Sequence, residues 1–269
     1  METRPWLRTA RARAQVRLWS IFGEPLWIIV NMGFPIFSSL AFSLLYLSIG
    51  AGSYVGFAVL GGVMVAFWGN VLWSMASNFN WDKQEGLFDI YLTSPASITA
   101  LLVGMAAGGI LATAPTAGIV TVLGWLLFHP VVSPSWPAVV LTFGLTLVAL
   151  YALGMTLSSL YLVYGREAET MNNVIQEPVS MLSGMYFPSI GAFSPFPFAL
   201  QVAASLIPLT IGMDALRKSL FFGQGVEGLW LDLFLLADLA VAMLIASAVS
   251  LDALERKGRR DGTISVRIR

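Results

Sequence analysis

Long apolar stretches constrain this chain more than any other feature. A helix needs about 20 mostly apolar residues to cross a membrane, and six stretches reach or approach that length. They lie at residues 26–48, 54–76, about 98–128, about 138–163, from near 174, and about 229–251. Of the 269 residues 57% are hydrophobic and only 11% are charged, against about 25% charged in a soluble domain. The sequence therefore predicts an all-α integral membrane protein with six transmembrane helices.

Helix-breaking residues interrupt two of the six stretches. The third contains Gly108, Gly109 and Pro115 and is longer than a bilayer requires, so we expect it to be kinked, tilted or protruding. The fifth is broken early by "FPSIGAFSPFPF". Non-helical backbone survives at membrane depth only when it is buried in protein or lines a wet cavity. This segment is therefore either a gate or an ordinary external loop.

The basic residues orient the chain. Thirteen of the 15 lie before the first stretch, in the loops after the second and fourth, or after the sixth, and the exceptions are Arg217 and Lys218. The positive-inside rule then puts both termini in the cytoplasm. We expect residues 1–25 to form a basic helix at the membrane surface and residues 252–269 a basic cytoplasmic tail, flanking a permease domain at 26–251. Arg13 and Arg17 lie nearly opposite the other N-terminal arginines on a helical wheel, which snorkelling would accommodate. A topology-setting leader and a docking helix both fit this N-terminal pattern.

A charged segment, "NWDKQEGLFDIYLTSP" at 80–95, stands out between the second and third stretches. On a helical wheel its three acids, Asp82, Glu85 and Asp89, fall within about 60° of one another. The apolar residues occupy the opposite side. The pattern predicts a short amphipathic helix whose acidic face points to the cytoplasm, although a solvated loop is also compatible with it.

Three motifs in order resemble those of the type-2 ABC exporter permease family. They are "EGLFDIYLTSP" at 85–95, "MLSGMYFP" at 181–188 and "IPLTIGMDALR" at 207–217. Leu87 stands where the family usually has Thr, and Ile207 where it usually has Asn. The resemblance implies a permease that dimerises, with an identical copy or a related permease, and works with a separate cytoplasmic ABC ATPase subunit in a bacterial cytoplasmic membrane.

The resemblance also assigns roles to residues. It makes 82–92 a coupling helix inserted into a groove of the ATPase and the loop at 164–173 a second contact. It makes 188–226 an external re-entrant element. The implied ATPase-coupling residues are Asp82, Glu85, Gly86, Leu87, Phe88, Asp89, Arg166 and Glu167. The implied gate residues are Ser183, Gly184, Phe187, Pro188 and Pro208.

The residues themselves disfavour other classes. No segment matches the phosphate-binding loop G-x-x-x-x-G-K-[ST], so ATP and Mg²⁺ would be bound by the partner subunit and no cofactor by this chain. The chain has no cysteine and one histidine, His129, in a predicted loop, which leaves little for an intramembrane enzyme or a metal site. We expect no nucleic-acid partner. An ion-coupled secondary transporter is the main alternative, although such proteins usually show internal repeats, and none is apparent.

Polar and aromatic residues within the stretches suggest a substrate path. Asn31, Phe34 and Phe37 in the first stretch, and Asn70 and Trp73 in the second, have helical spacing and would suit an amphipathic or lipophilic substrate such as a drug, a lipid or a lipid-linked glycan. Helix–helix packing explains the same pattern. Ionisable residues within membrane spans suggest a functional role, so Glu177 and Asp238 are further candidates for the substrate path. Glu177 also fits a simple interfacial position.

Overall fold

The protein is a bundle of helices. The computed structural model describes residues 3–77, 82, 85–86, 97–164, 168–191 and 194–261. Nine α-helices and no strand occur in these ranges. They are α1 (Thr3–Phe22), α2 (Pro25–Ser48), α3 (Val55–Gly69), α4 (Ile98–Phe128), α5 (Trp136–Tyr164), α6 (Ala168–Leu182), α7 (Phe198–Ser205), α8 (Pro208–Phe221) and α9 (Trp230–Asp261). A 3₁₀ turn, Gly52–Tyr54, precedes α3, and a π-helix, Asn70–Ala76, continues it.

Among the residues that the structure describes, five helical segments are long and apolar enough to cross a membrane, namely α2, α3 with its adjoining 3₁₀ turn and π-helix, α4, α5 and α9. In the same ranges a sixth span arises if α7 and α8, which meet at a bend of 100°, are counted as one. The all-helical prediction is confirmed, whereas the six-span topology stays a prediction. The fifth predicted span differs most, because α6 begins at Ala168 and ends at Leu182. Its 15 residues reach about 22 Å, short of a hydrocarbon core about 30 Å thick.

Helix α3 occupies the centre of the bundle. Within its apolar window 89% of the residues are buried, against 17% for α2 and 22% for α9. Trp68 and Met64 of α3 and Leu72 of the following π-helix are fully buried, and they pack with Leu102 of α4 and Leu150 of α5. Since α3 has almost no exposed face, its sequence is apolar all round, and any polar group on it has to find a partner inside the protein.

Helix α4 runs unbroken for 31 residues through Gly108, Gly109 and Pro115. Its 31 residues reach about 46 Å, which is longer than a hydrocarbon core of about 30 Å, so the expectation that this span is kinked, tilted or protruding stays open, although the glycines do not break the helix. Gly104 and Gly108 lie on one face, where a Cβ would come within 2.3 Å of the Ala10 carbonyl oxygen and 2.9 Å of the Ala14 carbonyl oxygen. The two glycines let α1 pack closely against α4, as small residues four apart do between membrane helices. The N-terminal segment is thus a docked helix in this structure.

The ends of the π-helix, α5 and α9 meet at one end of the bundle, which we call the α1 end because α1 docks on the first part of α4 there. The Ser158 hydroxyl of α5 lies 3.4 Å from the Met75 carbonyl oxygen at the end of the π-helix. Next to it, the Ser159 hydroxyl donates to the Ser250 hydroxyl of α9 at 2.8 Å. The chain segments predicted to share one side of the membrane therefore meet at one end of the protein. His129 lies in an exposed left-handed turn after α4, as predicted for a solvated loop residue.

Candidate substrate cavity and gate

A cavity of about 650 Å³ opens among α1, α2, the α3–π segment, α4 and α6. This volume is in the range of about 300–1,000 Å³ that is typical of small-molecule sites. Its wall includes four of the predicted path residues, Asn31, Phe34, Asn70 and Trp73. The structure therefore brings together side chains from the first two predicted spans that the sequence could only place on separate helices.

The other three predicted path residues do not line this cavity. Phe37 is 71% exposed on α2, and Glu177 and Asp238 are also exposed, on α6 and α9. Each lies on the face of its helix that points away from the packed interior. Their assignment to the path stays a prediction.

The π-helix makes the polar wall of the cavity. The Tyr151 hydroxyl donates a hydrogen bond to the Asn70 side-chain oxygen at 2.9 Å. A Cβ at Gly109 would lie 2.4 Å from that same oxygen, so a larger residue there would displace the Asn70 side chain. The Trp73 indole N–H donates to the Gln176 side-chain oxygen at 2.8 Å. Short π-helical segments recur at functional sites, and here the segment orients an amide and an indole toward one space.

Helix α6 contributes residues that the sequence analysis missed. Asn172, Gln176 and Ser180 are spaced four apart and lie on the face turned toward α3. Asn172 donates to the Ser77 hydroxyl oxygen at 2.6 Å, and Gln176 and Ser180 line the cavity. Glu177, the acid that attracted the prediction, is rotated about 100° away from Gln176. The spacing of four was visible in the sequence and could have identified this face.

Two arginines of α1 also line the cavity. Arg13 and Arg17 both contribute to its wall, and Arg13 forms an ion pair with Asp82, with Nη2 2.6 Å from Oδ2. The exposed fractions of the two side chains are 13% and 8%. The wheel had already separated these arginines from the rest of the N-terminal set. They point into the protein, so snorkelling to water is not needed to explain their place on the wheel.

The Arg13 pair also corrects the predicted coupling segment. Asp82 was expected on an acidic face turned to the cytoplasm, but it is buried and points at α1. Gly86 has a φ of 76° within a turn, so an uninterrupted helix through 82–92 is wrong at this position. Glu85 and Gly86 are exposed, as a surface for a partner requires. Leu87, Phe88, Asp89, Arg166 and Glu167 lie outside the described residues, and their assigned roles stay predictions.

Arg17 keeps its charge despite its position. Burial, with a smaller contribution from the neighbouring charge of Arg13, lowers the pKa of Arg17 to about 10, and Asp82 partly offsets this effect. At pH 7 the guanidinium is therefore protonated. It is held where α1 crosses α4, with its Cβ against Gly108.

The predicted gate lies at the opposite end of α3. From Ser183 to Phe187 the backbone is irregular, with Gly184 at a φ of 80°, and a Cβ at Gly61 of α3 would come within 1.8 Å of the Met185 carbonyl oxygen. Side chains from other helices satisfy the exposed carbonyl groups of this segment, as non-helical backbone inside a membrane protein requires. The Tyr46 hydroxyl, for example, donates to the Tyr186 carbonyl oxygen at 2.8 Å.

Arg217 joins two of the sequence motifs. Its side chain comes from the motif at 207–217, is 4% exposed, and donates a hydrogen bond to the Gly184 carbonyl oxygen in the motif at 181–188. The guanidinium also lies 5.1 Å from the ring centroid of Phe57. Nearby, Phe187 packs edge-on against Phe196, Ser183 is fully buried and Pro208 starts α8. These contacts close the end of the bundle around Gly184.

The described residues contain no group of three or more His, Asp and Glu side chains that could hold a metal ion. The fold, the cavity and the absence of strands from the described ranges define a multi-pass helical membrane protein with an internal site.

Comparison with known families identifies the class. The model of the family described as ABC-2 type transporter matches residues 11–221, and the chain belongs to this family. No curated protein matches the chain. The membrane domain of this family is the permease component of an ABC transporter and is not itself the ATPase.

Proposed function

We propose that this chain is the transmembrane permease subunit of an ATP-driven exporter. It forms the substrate path as a dimer, and a separate cytoplasmic ATPase, which binds ATP and Mg²⁺, drives it through residues 82–92. One observation carries the proposal: the cavity that collects Asn31, Phe34, Asn70 and Trp73 is also lined by Asp82 of the coupling segment. The segment proposed to receive the ATPase movement would therefore adjoin the proposed substrate site.

The chemistry of the cavity supports an amphipathic or lipophilic substrate. Phe34 and Trp68 provide apolar surface, while Asn70, Gln176 and Arg17 provide hydrogen-bonding groups on other parts of the wall. Sites for small molecules combine a mainly apolar lining with a few placed polar groups in this way. The sequence supports placing the α1 end in the cytoplasm, since thirteen of the 15 basic residues belong to segments predicted there.

A movement at residues 82–92 has a direct route to the cavity. Asp82 is paired with Arg13, and α1 is locked against Gly104 and Gly108 of α4. Displacing the coupling segment thus pulls on α1, which forms one wall of the cavity, in the manner of packed elements that shift as units. We expect Phe88 to be the packing anchor in the ATPase groove and Gly86 to set the turn before it. Loss of an exposed charge such as Glu85 should be mild, because charges at an interface rim mainly affect the association rate. Arg166 and Glu167 would make the second, smaller contact.

The segment around Ser183, Gly184, Phe187 and Pro188, with Pro208 behind it, would be the exit gate. It lies beyond the cavity along α3, on the side opposite the coupling segment. For a substrate to leave, the hydrogen bond between Arg217 and Gly184 would have to break. Alternating access then requires that this end opens while the α1 end closes.

Transport by the purified complex tests the proposal. The chain is purified from its native membrane with whatever subunits accompany it, reconstituted into liposomes, and supplied either with ATP and Mg²⁺ or with an ion gradient alone. We expect ATP-dependent export of a fluorescent lipophilic amine or lipid that the Phe88→Ala substitution abolishes and the Glu85→Gln substitution reduces only slightly. If an ion gradient alone drives transport and no ATPase accompanies the chain, the protein is a secondary transporter and the proposal is wrong.

A further inference from the structure

We infer that Arg17 forms a binding site for the anionic headgroup of an amphiphile within the cavity. That this amphiphile is the transported substrate rests on the proposed function. The inference then narrows the substrate class from any amphipathic or lipophilic molecule to one with an acidic headgroup. A phosphate, pyrophosphate or carboxylate group would satisfy the site.

The first step of the argument is that Arg17 has no partner of its own among the residues that the structure describes. Its helix neighbour Arg13 is committed to Asp82, while no described residue forms an ion pair or a side-chain hydrogen bond with the Arg17 guanidinium. Placing a partly buried cation without a partner costs free energy. A bound anion would recover that cost through charge-assisted hydrogen bonds, which are the strongest kind in proteins.

The second step is that the fold holds Arg17 in place. Gly108 of α4 brings the α1 backbone so close that the Arg17 Cβ lies 3.0 Å from where a glycine Cβ would stand. The first part of the Arg17 side chain is therefore fixed against α4, and Arg17 forms part of the cavity wall. Such pre-organisation lowers the entropy that a ligand would otherwise lose on ordering the side chain.

The third step is the distribution of the surrounding charges. Asp82 is neutralised by Arg13, so the three charges at this part of the wall sum to +1. Two further acids, Glu24 and Glu85, also line the cavity, but both are exposed, and water screens them more strongly than the partly buried guanidinium. Among the residues that the structure describes, the deep part of the site therefore carries a net positive charge.

The last step is the apolar wall beside this charge. Phe34, Trp68 and Val65 line the same cavity as Arg17, and Thr113 and Thr116, both buried on α4, lie on its polar side. A ligand that fills the whole space thus needs an anionic end and an apolar end. Inorganic phosphate would occupy only the first.

Native mass spectrometry of the purified full-length chain, with any subunit that accompanies it, tests the inference. Dodecyl phosphate is the probe, and dodecyltrimethylammonium and inorganic phosphate are the comparisons. We expect wild-type protein to bind dodecyl phosphate at least about 10-fold more tightly than dodecyltrimethylammonium, given the strength of hydrogen bonds to charged groups. Arg17→Gln should weaken the binding of dodecyl phosphate about 10-fold to 100-fold, and Arg17→Lys should weaken it much less. Inorganic phosphate at equal concentration should not displace dodecyl phosphate.

The matched control is Arg11→Gln, which removes the same charge from an exposed position of the same helix. Equal losses in Arg11→Gln and Arg17→Gln would show a diffuse surface effect and overturn the inference, as would full competition by inorganic phosphate. If Arg17→Gln does not fold, the preference of wild-type protein between the two dodecyl probes still decides, because equal binding of both contradicts an anionic site. If wild-type protein binds dodecyl phosphate as expected but shows no ATP-driven transport, the proposed function is contradicted and the anion site is not.

Discussion

The ion pair between Arg13 and Asp82 holds α1 in place, and breaking it should release that helix. The pair is short, at 2.6 Å, and its side chains are only 13% and 8% exposed. Removing one partner of a buried pair costs about 3–5 kcal/mol, and we take about 3 kcal/mol because both groups retain some contact with water. Asp82→Asn should therefore raise the population of undocked α1 about 100-fold, since about 1.4 kcal/mol corresponds to a factor of ten.

Maleimide labelling measures that population, because the chain has no cysteine of its own. A cysteine in place of Ala10, which is 9% exposed at the contact with Gly104, becomes reactive only when α1 leaves α4. Asp82→Asn should speed its labelling about 100-fold, while Arg11→Gln should leave the rate unchanged. Combining Arg13→Gln with Asp82→Asn should cost less than the sum of the two single changes. Equal labelling rates in wild type and Asp82→Asn, or strictly additive effects, would refute this account of the docking.

Two further predictions concern the gate. Gly61→Ala places a Cβ 1.8 Å from the Met185 carbonyl oxygen. The resulting overpacking should cost about 1–3 kcal/mol and lower the Tm by several degrees. The control Gly118→Ala, which has no atom within 4 Å of its Cβ, should not lower the Tm. Arg217→Met removes the hydrogen bond to the Gly184 carbonyl oxygen in the proposed gate, so a cysteine replacing the fully buried Ser183 should be labelled about 10-fold faster. Unchanged Tm in the first case, or unchanged labelling in the second, contradicts the packing described.

The sequence predicted most of the transmembrane helices, because a bilayer requires long apolar helices and long apolar stretches can be recognised directly in a sequence. The bounds of α2, α4 and α5 agree with the predicted ones to within about two residues, and α3 with its π-helix covers 55–76 where 54–76 was expected. Helix α9 starts where predicted but ends at Asp261 and not near 251. The element that differs most is α6, which continues past Pro178 but ends at Leu182, just before the irregular segment that begins at Ser183. In α4 the glycines permit contacts with α1 and Asn70, and their effect on helix continuity is minor.

The candidate site was only partly predictable. Asn70 and Trp73 were found because mixed polar and aromatic residues at helical spacing are unusual in an apolar helix. Gln176 was overlooked beside the more conspicuous Glu177. The pairing of Arg13 with Asp82 joins residues 69 positions apart, and such a contact follows from tertiary packing, which a helical wheel cannot supply.

The central claim is that residues 82–92 connect this permease to an ATPase on another chain. Photo-cross-linking tests it most directly: Phe88→Cys is labelled with a benzophenone maleimide in native membranes, irradiated, and the attached peptide is sequenced by mass spectrometry. We predict a cross-link to a subunit that carries a phosphate-binding loop, and a much weaker one from Val131→Cys, which is 90% exposed after α4 at the far end of the bundle. Cross-links only to lipid or to this chain itself, together with undiminished transport, would contradict the claim.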